Sequence, residues 1–188
     1  MKSSARFLIL VSSLVSASAM AQMAQFTGWN AGLNVNFNNA KSKTDSESFS
    51  NQNTGGSLHG GYGFAINNDY AVLLDLDLTL DKIKTGETNN TSIYFKSPAA
   101  LSVAPAMLLN DSTLLYAKVS YESANFNFST TNKAINGYGV AAGARYILSK
   151  GVYLQAELKG IKYNEFKVDD NNVNSSNSQV NIGIGFNF

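Results

Sequence analysis

Seven charged side chains interrupt otherwise apolar, alternating segments of this sequence, and each lies on the face that the apolar residues avoid. If these segments form one closed sheet, four acids and three bases share its inner face. A buried charge costs several kcal/mol unless it is paired, so we expect a cross-lumen network of ion pairs. The alternative is that the charges are solvated separately in a wet lumen. The seven residues are Asp75, Asp77, Lys118, Glu122, Arg145, Glu157 and Lys159.

The only histidine, His59, is a second candidate for chemistry, because Ser57 lies on the same face of its segment. A serine nucleophile needs an adjacent base, but a lone histidine among glycines is more often a hydrogen-bonded packing residue. The stretch LHGGYGF precedes no helix, as a phosphate-binding glycine loop would require. No cysteine is present, so thiolate metal sites and disulfides are excluded.

An oxygen-rich stretch, VDDNN, is the one candidate for weak calcium binding. It lacks the spaced ligands of a dedicated calcium loop, so a solvated polar loop is the preferred interpretation. The sequence therefore predicts no metal and no cofactor. The four polar residues of this stretch are Asp169, Asp170, Asn171 and Asn172.

The first 21 residues have the features of a secretory signal peptide. Lys2 and Arg6 precede the apolar run FLILVSSLV, and Ala19 and Ala21 fit the positions before a cleavage site. An uncleaved anchor is the alternative, but the run has about half of the ~20 residues that a spanning helix needs. The predicted mature chain, 22–188, keeps 12 of the 14 basic residues against 13 acidic ones. This balance gives no indication of nucleic-acid binding.

Eight segments alternate apolar and polar residues with the period of two that is typical of β-strands. The fourth is the least regular, because Pro98 and Pro105 cannot donate to a ladder. There we align Ile93, Phe95, Leu101, Val103 and Met107 on one face. The predicted strands cover about 26–37, 56–66, 70–81, 92–108, 114–124, 136–148, 152–163 and the terminal stretch SQVNIGIGFNF.

The connections between these segments alternate between long and short. Polar loops are predicted at 38–54, 82–91, 125–134 and 164–177, and tight turns at NND, NDST and SKG. This rhythm places every turn at one end of the strands, together with both chain termini. It favours an all-β, eight-stranded antiparallel up-and-down barrel over a soluble Greek-key sandwich.

The chemistry of the two faces favours a transmembrane barrel over a soluble one. The face opposite the apolar residues is mostly small and neutral, and only 14% of all residues are charged, which is low for a water-facing exterior. Two aromatic girdles are also predicted. Tyr70, Tyr146, Phe186 and Phe188 lie near the turn end, and Phe37, Phe95, Tyr121 and Tyr138 near the loop end.

Several stretches resemble the OmpA-like family of eight-stranded outer-membrane β-barrels. FTGWNAGLNVNF is similar to the opening strand, and INGYGVAAGARYILSKGVYLQAELKGIKY is similar to the penultimate hairpin. The resemblance covers 22–188 and implies a barrel in outer-membrane lipid, without the peptidoglycan-binding domain of some relatives. The chain end resembles the signal that the barrel-assembly machinery recognises, and its residues are Val180, Ile182, Ile184, Phe186 and Phe188.

The same resemblance implies a role for surface-exposed loops in adhesion, recognition or envelope integrity, with an extracellular ligand as their partner. A small pore is the alternative, although eight strands rarely leave an open lumen. The resemblance to lipid-modifying barrels would require a histidine with a serine partner, or with a serine and an aspartate, near the outer rim, and the deacylase-like barrels have the order His-x-Ser. Here Ser57 precedes His59, so we do not expect an enzyme.

Overall fold

The computed structural model describes residues 23–44, 48–88, 91–128, 131–168 and 171–188. Within these ranges no helix has the length and apolar character needed to cross a bilayer. One short 3-10 helix, Ala24–Phe26, precedes ten strands. The strands are β1 Gly28–Lys43, β2 Ser48–Ala65, β3 Tyr70–Thr79, β4 Ile83–Thr88, β5 Thr91–Asn110, β6 Thr113–Phe128, β7 Thr131–Ser149, β8 Val152–Tyr163, β9 Phe166–Val168 and β10 Asn171–Asn187.

Eight of these strands close into a barrel. Their order is β1, β2, β3, β5, β6, β7, β8 and β10, and β10 pairs back onto β1. All of these pairings are antiparallel. The short strands β4 and β9 follow β3 and β8 along the chain and pair with β5 and β10. The predicted eight-stranded antiparallel up-and-down barrel is therefore confirmed.

The register of the barrel fixes its diameter. We follow the paired residues from one strand to the next around the barrel and call this path a rung. The rung that starts at Ala31 returns to β1 at Lys41, a stagger of ten residues. For eight strands this stagger corresponds to a tilt of about 40° and to an interior that side chains can fill. The rung passes through Gly60, Leu76, Leu101, Tyr121, Tyr138, Lys162 and Ser176.

An apolar belt covers the outside of the barrel, and polar side chains fill the inside. Each strand alternates between the two, because successive side chains point to opposite faces. Aromatic residues border the belt at both ends: Tyr70, Tyr146, Phe186 and Phe188 at the turn end, and Phe37, Tyr121 and Tyr138 at the other. Exposed belt residues include Leu33, Leu74, Leu76, Leu101, Val119, Val140, Leu158 and Ile182.

The predicted single face of the fourth segment is wrong. Leu101 is 62% exposed, whereas Phe95 is fully buried inside the barrel and Ile93 is buried beside it. The cause is an extra residue in β5 relative to β6, between Lys96 and Ala99, where Ser97 has a φ of +48°. A bulge of this kind shifts the alternation by one residue. Phe95 is therefore not part of the outer girdle.

The long loops are also wrong as predicted, because strands occupy most of them. β1 continues to Lys43 and β2 begins at Ser48, while β6 continues to Phe128 and β7 begins at Thr131. Beyond the belt the outward side chains face water and are polar, so the apolar alternation that marks a strand disappears while the ladder continues. We call this part the extension, and it comprises 38–44, 48–54, 83–88, 91–96, 123–128, 131–136, 163–168 and 171–176.

Candidate functional site

The centre of the lumen holds the first part of a buried ion-pair network. Arg145 Nη2 lies 3.2 Å from both carboxylate oxygens of Asp75, and Arg145 Nε donates to Gln155 Oε1 at 2.8 Å. Arg145 and Asp75 are both almost completely buried. The guanidinium also lies 5.0 Å from the ring centroid of Tyr153, within the range of cation–π attraction. Three strands, β3, β7 and β8, therefore meet at one cation.

Lys118 joins the same network from β6. Its Nζ lies 2.9 Å from Glu157 Oε2, 3.6 Å from Asp75 Oδ2 and 3.7 Å from Asp77 Oδ2. Glu157 in turn accepts hydrogen bonds from Tyr116 Oη and Asn181 Nδ2, both at 3.0 Å. Buried carboxylates need such additional donors, because Coulomb attraction alone rarely offsets their desolvation.

A separate pair lies nearer the extension. Lys159 Nζ is 2.8 Å from Glu122 Oε1, and Ser120 Oγ donates to the same oxygen. The structure thus places all seven of the sequence-selected charges inside the barrel and brings them into two clusters. Asp75, Asp77, Lys118, Arg145 and Glu157 form one, and Glu122 and Lys159 form the other. The four acids and three bases nearly balance.

Two aromatic residues beside the ion-pair network, Tyr116 and Tyr153, were not predicted from the sequence. Each fits because a glycine faces it: a Cβ on Gly143 would lie 2.4 Å from Tyr116 Oη, and one on Gly185 would lie 2.3 Å from Tyr153 Cζ. The sequence does contain a signal for them, since both tyrosines fall at the alternate positions that the alternation assigns to the inner face. This signal was hidden because aromatic residues are also favoured on the lipid-facing side.

His59 is a hydrogen-bonded packing residue in this structure. Its Nε2 lies 2.7 Å from Tyr153 Oη, and its Nδ1 lies 3.3 Å from Asn34 Nδ2. Tyr153 Oη donates to Asn30 Oδ1, so the consistent arrangement has His59 Nε2 donating and Nδ1 accepting. Ser57 Oγ donates to Asn36 Oδ1, and among the described residues no hydrogen bond joins Ser57 to His59.

The turn end of the lumen is filled by the N-terminal 3-10 helix. Phe26 is fully buried and Met23 is 1% exposed. Asn187 Nδ2 donates to the Gln25 carbonyl and ties this helix to β10. The predicted first strand therefore begins two residues later than expected, at Gly28. We call the packed residues the basal apolar cluster: Met23, Phe26, Ala71, Leu73, Ala104, Ala106, Leu114 and Tyr116.

The interior of the extension holds a second apolar cluster. Phe95 packs at a tilt against Tyr163 with ring centroids 4.8 Å apart, and Phe126 packs on Phe166 at the same distance. Outside the belt, the barrel thus has the inside-apolar arrangement of a water-soluble protein. We call this set the distal apolar cluster: Ala40, Ile83, Ile93, Phe95, Ala124, Phe126, Ile135, Ile161, Tyr163, Phe166 and Val173.

A cavity of about 20 Å³ separates the network from the distal apolar cluster. This is room for about one water molecule. Three buried acceptors around it, Asp77 Oδ2, Asn177 Oδ1 and Asn181 Oδ1, have no hydrogen-bond partner among the described residues. Along the described part of the lumen, two apolar clusters and the network therefore leave no wide passage.

The five residues selected as an assembly signal all point outward from β10 and are exposed. The last of them lies where the barrel closes. Phe188 N donates to the Trp29 carbonyl at 2.9 Å, and its ring packs edge-on against Phe186 at 5.2 Å. The terminal strand is thus paired with β1 from residue 174 to residue 187, and within lipid such pairing is required because an unpaired edge has no water to hydrogen-bond with.

The proposed calcium stretch contributes no cation site in the described residues. Asp169 and Asp170 lie outside those residues, and Asn171 and Asn172 belong to β10. Within the described part of the chain, no group of three acidic or histidine side chains is arranged to hold a metal ion.

Known proteins share this architecture. Neisserial surface protein A matches with a TM-score of 0.55 at 18% identity, covering 86% of this chain and 98% of that one. The outer membrane protein AlkL matches with a TM-score of 0.53 at 13% identity, with coverage of 86% and 90%. Ail, the attachment invasion locus protein of Yersinia pestis, matches with a TM-score of 0.50 at 17% identity, with coverage of 85% and 99%.

These identities are low, so the structural matches show the fold alone. No curated protein matches the sequence. The model of the outer membrane protein beta-barrel domain, however, matches residues 7–188, which is nearly the whole chain. With the apolar belt and the closed eight-stranded sheet, this match places the protein in the cell outer membrane. The chain belongs to the outer membrane protein beta-barrel domain family.

Proposed function

We propose that the protein is a non-conducting outer-membrane barrel that presents its extension at the cell surface for adhesion or recognition. The observation that carries this proposal is the closure of the lumen by three successive layers, because a transport role requires a continuous path. The extension is built from paired strands around the distal apolar cluster. It therefore supplies a preorganised binding surface, which lowers the entropic cost of association.

The charges of the extension favour an anionic extracellular ligand. Its described acids are already engaged: Glu165 accepts from Asn174 Nδ2 at 3.5 Å, and Glu87 pairs with Lys84 at 2.5 Å. The hydrogen bond from Lys84 and its positive charge keep the pKa of the Glu87 carboxyl below its usual value. The lysines with exposed side chains in or beside the extension are Lys41, Lys43, Lys82, Lys133, Lys162 and Lys167.

The proposed orientation places the extension outside the cell and both termini in the periplasm. We expect protease added to intact cells to cut only in the connections 44–47, 80–82, 89–90, 129–130, 164–165 or 169–170. Residues 38–43 and 48–54 should resist, because paired strands do not fit a protease cleft. Spheroplasts serve as the control, and there the turns at 67–69 and 149–151 should become accessible. Cleavage of those turns in intact cells would contradict the orientation.

A small pore is the second candidate, and it predicts the opposite electrical behaviour. We expect no stable single-channel currents from the purified protein in planar bilayers. Arg145→Ala should also stay closed, because the basal and distal apolar clusters remain in place on either side. The informative control is Phe26→Ala/Phe95→Ala/Arg145→Ala, which opens all three layers. Large, stable currents from the unmodified protein would favour the pore and refute the sealed lumen.

A further inference from the structure

A hollow interrupts the outer surface of the barrel at Gly160. This glycine points outward from β8, and a Cβ placed on it would meet no atom within 4 Å. Two adjoining grooves meet there, one of about 700 Å³ across β8, β10, β1 and β2 and one of about 350 Å³ toward β7. Both are open surface grooves and not enclosed cavities.

The hollow is apolar on one side and polar on the other. Toward the belt its walls are Leu158, Val180 and Phe37, and toward the extension they include Asn39 and Ser178. The tyrosine girdle passes beside it, since Tyr138 lines the smaller groove. The hollow therefore crosses the boundary between the lipid-covered and water-covered parts of the barrel.

Two lysines stand above the polar side on a single rung. Lys162 of β8 pairs with Ser176 of β10, and Ser176 pairs with Lys41 of β1. The two side chains are thus two strand spacings apart, about 10 Å between their Cα atoms. Both are exposed, and within the described residues neither forms an ion pair with an acid. Such basic pairs near a bilayer surface attract anionic head groups.

We propose that this hollow binds a phosphorylated lipid of the outer leaflet. An acyl chain lies over Gly160 against Leu158 and Val180, and the phosphate lies between Lys41 and Lys162. The apolar half is unsuited to a free polyanion, and a second copy of this barrel would bring lysines against lysines. The proposal rests on the surface orientation proposed above, since the outer leaflet must be at the extension end.

Native mass spectrometry of folded protein, mixed with lipid A in a mild detergent, tests this site. We expect one retained lipid, and we expect Lys41→Ala/Lys162→Ala to retain it about 10- to 30-fold less well, at roughly tenfold or less per lysine. Gly160→Leu should lower retention similarly by filling the hollow, because the open surroundings of this glycine leave room for a side chain. Folding of each variant is checked by its heat-dependent gel mobility.

The matched controls are residues that do not line the hollow. Gly56 is also an outward glycine, with only ordinary van der Waals neighbours for a Cβ at 3.7 Å, and Lys82 is an exposed lysine. Gly56→Leu and Lys82→Ala should leave retention unchanged. Equal retention in all variants would overturn the site, and so would displacement of the lipid by inorganic phosphate alone. Neither result depends on conductance or protease accessibility, so this site and the proposed function fail separately.

Discussion

Replacing Arg145 with methionine is expected to lower the free energy of unfolding by about 3–5 kcal/mol, the usual cost of breaking a buried ion pair. The substitution keeps most of the side-chain volume but leaves Asp75 with only Lys118 Nζ, 3.6 Å away. It also removes the donor to Gln155 and the cation over the Tyr153 ring. The cost arises mainly from the carboxylate that stays buried without its partner.

Urea unfolding in lipid vesicles measures this loss. Trp29 is the only tryptophan and faces the belt, so its fluorescence follows transfer from lipid to water. Lys150→Met is the control, because this exposed turn lysine should change stability by less than about 0.5 kcal/mol. Asp75→Asn combined with Arg145→Met should recover part of the loss, since the unpaired charge disappears. A cost for Arg145→Met no larger than that of Lys150→Met would show that the lumen charges are solvated separately.

Replacing Phe188 with aspartate is expected to prevent most of the protein from reaching the outer membrane in folded form. Phe188 lies at the turn end of the belt, 76% exposed. A charge near this interface costs a folded barrel only about 0–1 kcal/mol. A large loss in cells would therefore reflect failed recognition of the terminal strand by the assembly machinery, with export unaffected.

The comparison of folding in cells with folding in vitro separates these two causes. Outer-membrane fractions should contain little of the heat-modifiable folded form of Phe188→Asp, and unfolded protein should accumulate in the periplasm. The same variant should refold in detergent nearly as well as the unmodified protein. Phe188→Leu, which keeps an apolar end, serves as the control. Normal amounts of Phe188→Asp in the outer membrane would mean that the terminal residue is not part of a recognition signal.

Sequence alternation was sufficient to predict the barrel within the lipid belt, because there one face is apolar and the other is not. The parity of Asp75, Lys118, Arg145 and Glu157 placed them all inside, and the structure brings these four into contact. Their partners were not predictable, because strand tilt shifts the relative height of residues on neighbouring strands. The ten-residue stagger sets those heights. It depends on how neighbouring strands pair and cannot be predicted from the sequence of any single strand.

Alternation was uninformative where the solvent changes. In the extension the outward side chains are polar and the inward side chains vary in type, so no regular apolar alternation marks the strands. Residues 38–43 and 48–54 therefore resemble loops in the sequence although they are strands. The bulge at Ser97 places Phe95 on the inner face, whereas the alternation predicts the outer face. The only local feature of the sequence that marks this bulge is the neighbouring Pro98. Phe26 begins the first predicted strand, whereas in the structure it ends the 3-10 helix and its side chain is buried in the lumen.

The bulge at Ser97 makes the chain length of β5 more important than its residue types. Before it, Ile93 and Phe95 are buried inside, and after it the large apolar side chains of Leu101, Val103 and Met107 face outward while only alanines among the apolar residues are buried, so the large apolar side chains change sides across this single irregularity. Many substitutions in β5 would preserve that exchange. Losing or gaining one residue between Lys96 and Ala99 would instead expose Phe95 and Ile93 to water, or turn Leu101 and Val103 into the lumen. An insertion or deletion of one residue at this point of β5 should therefore be tolerated less well than most single substitutions in the strand.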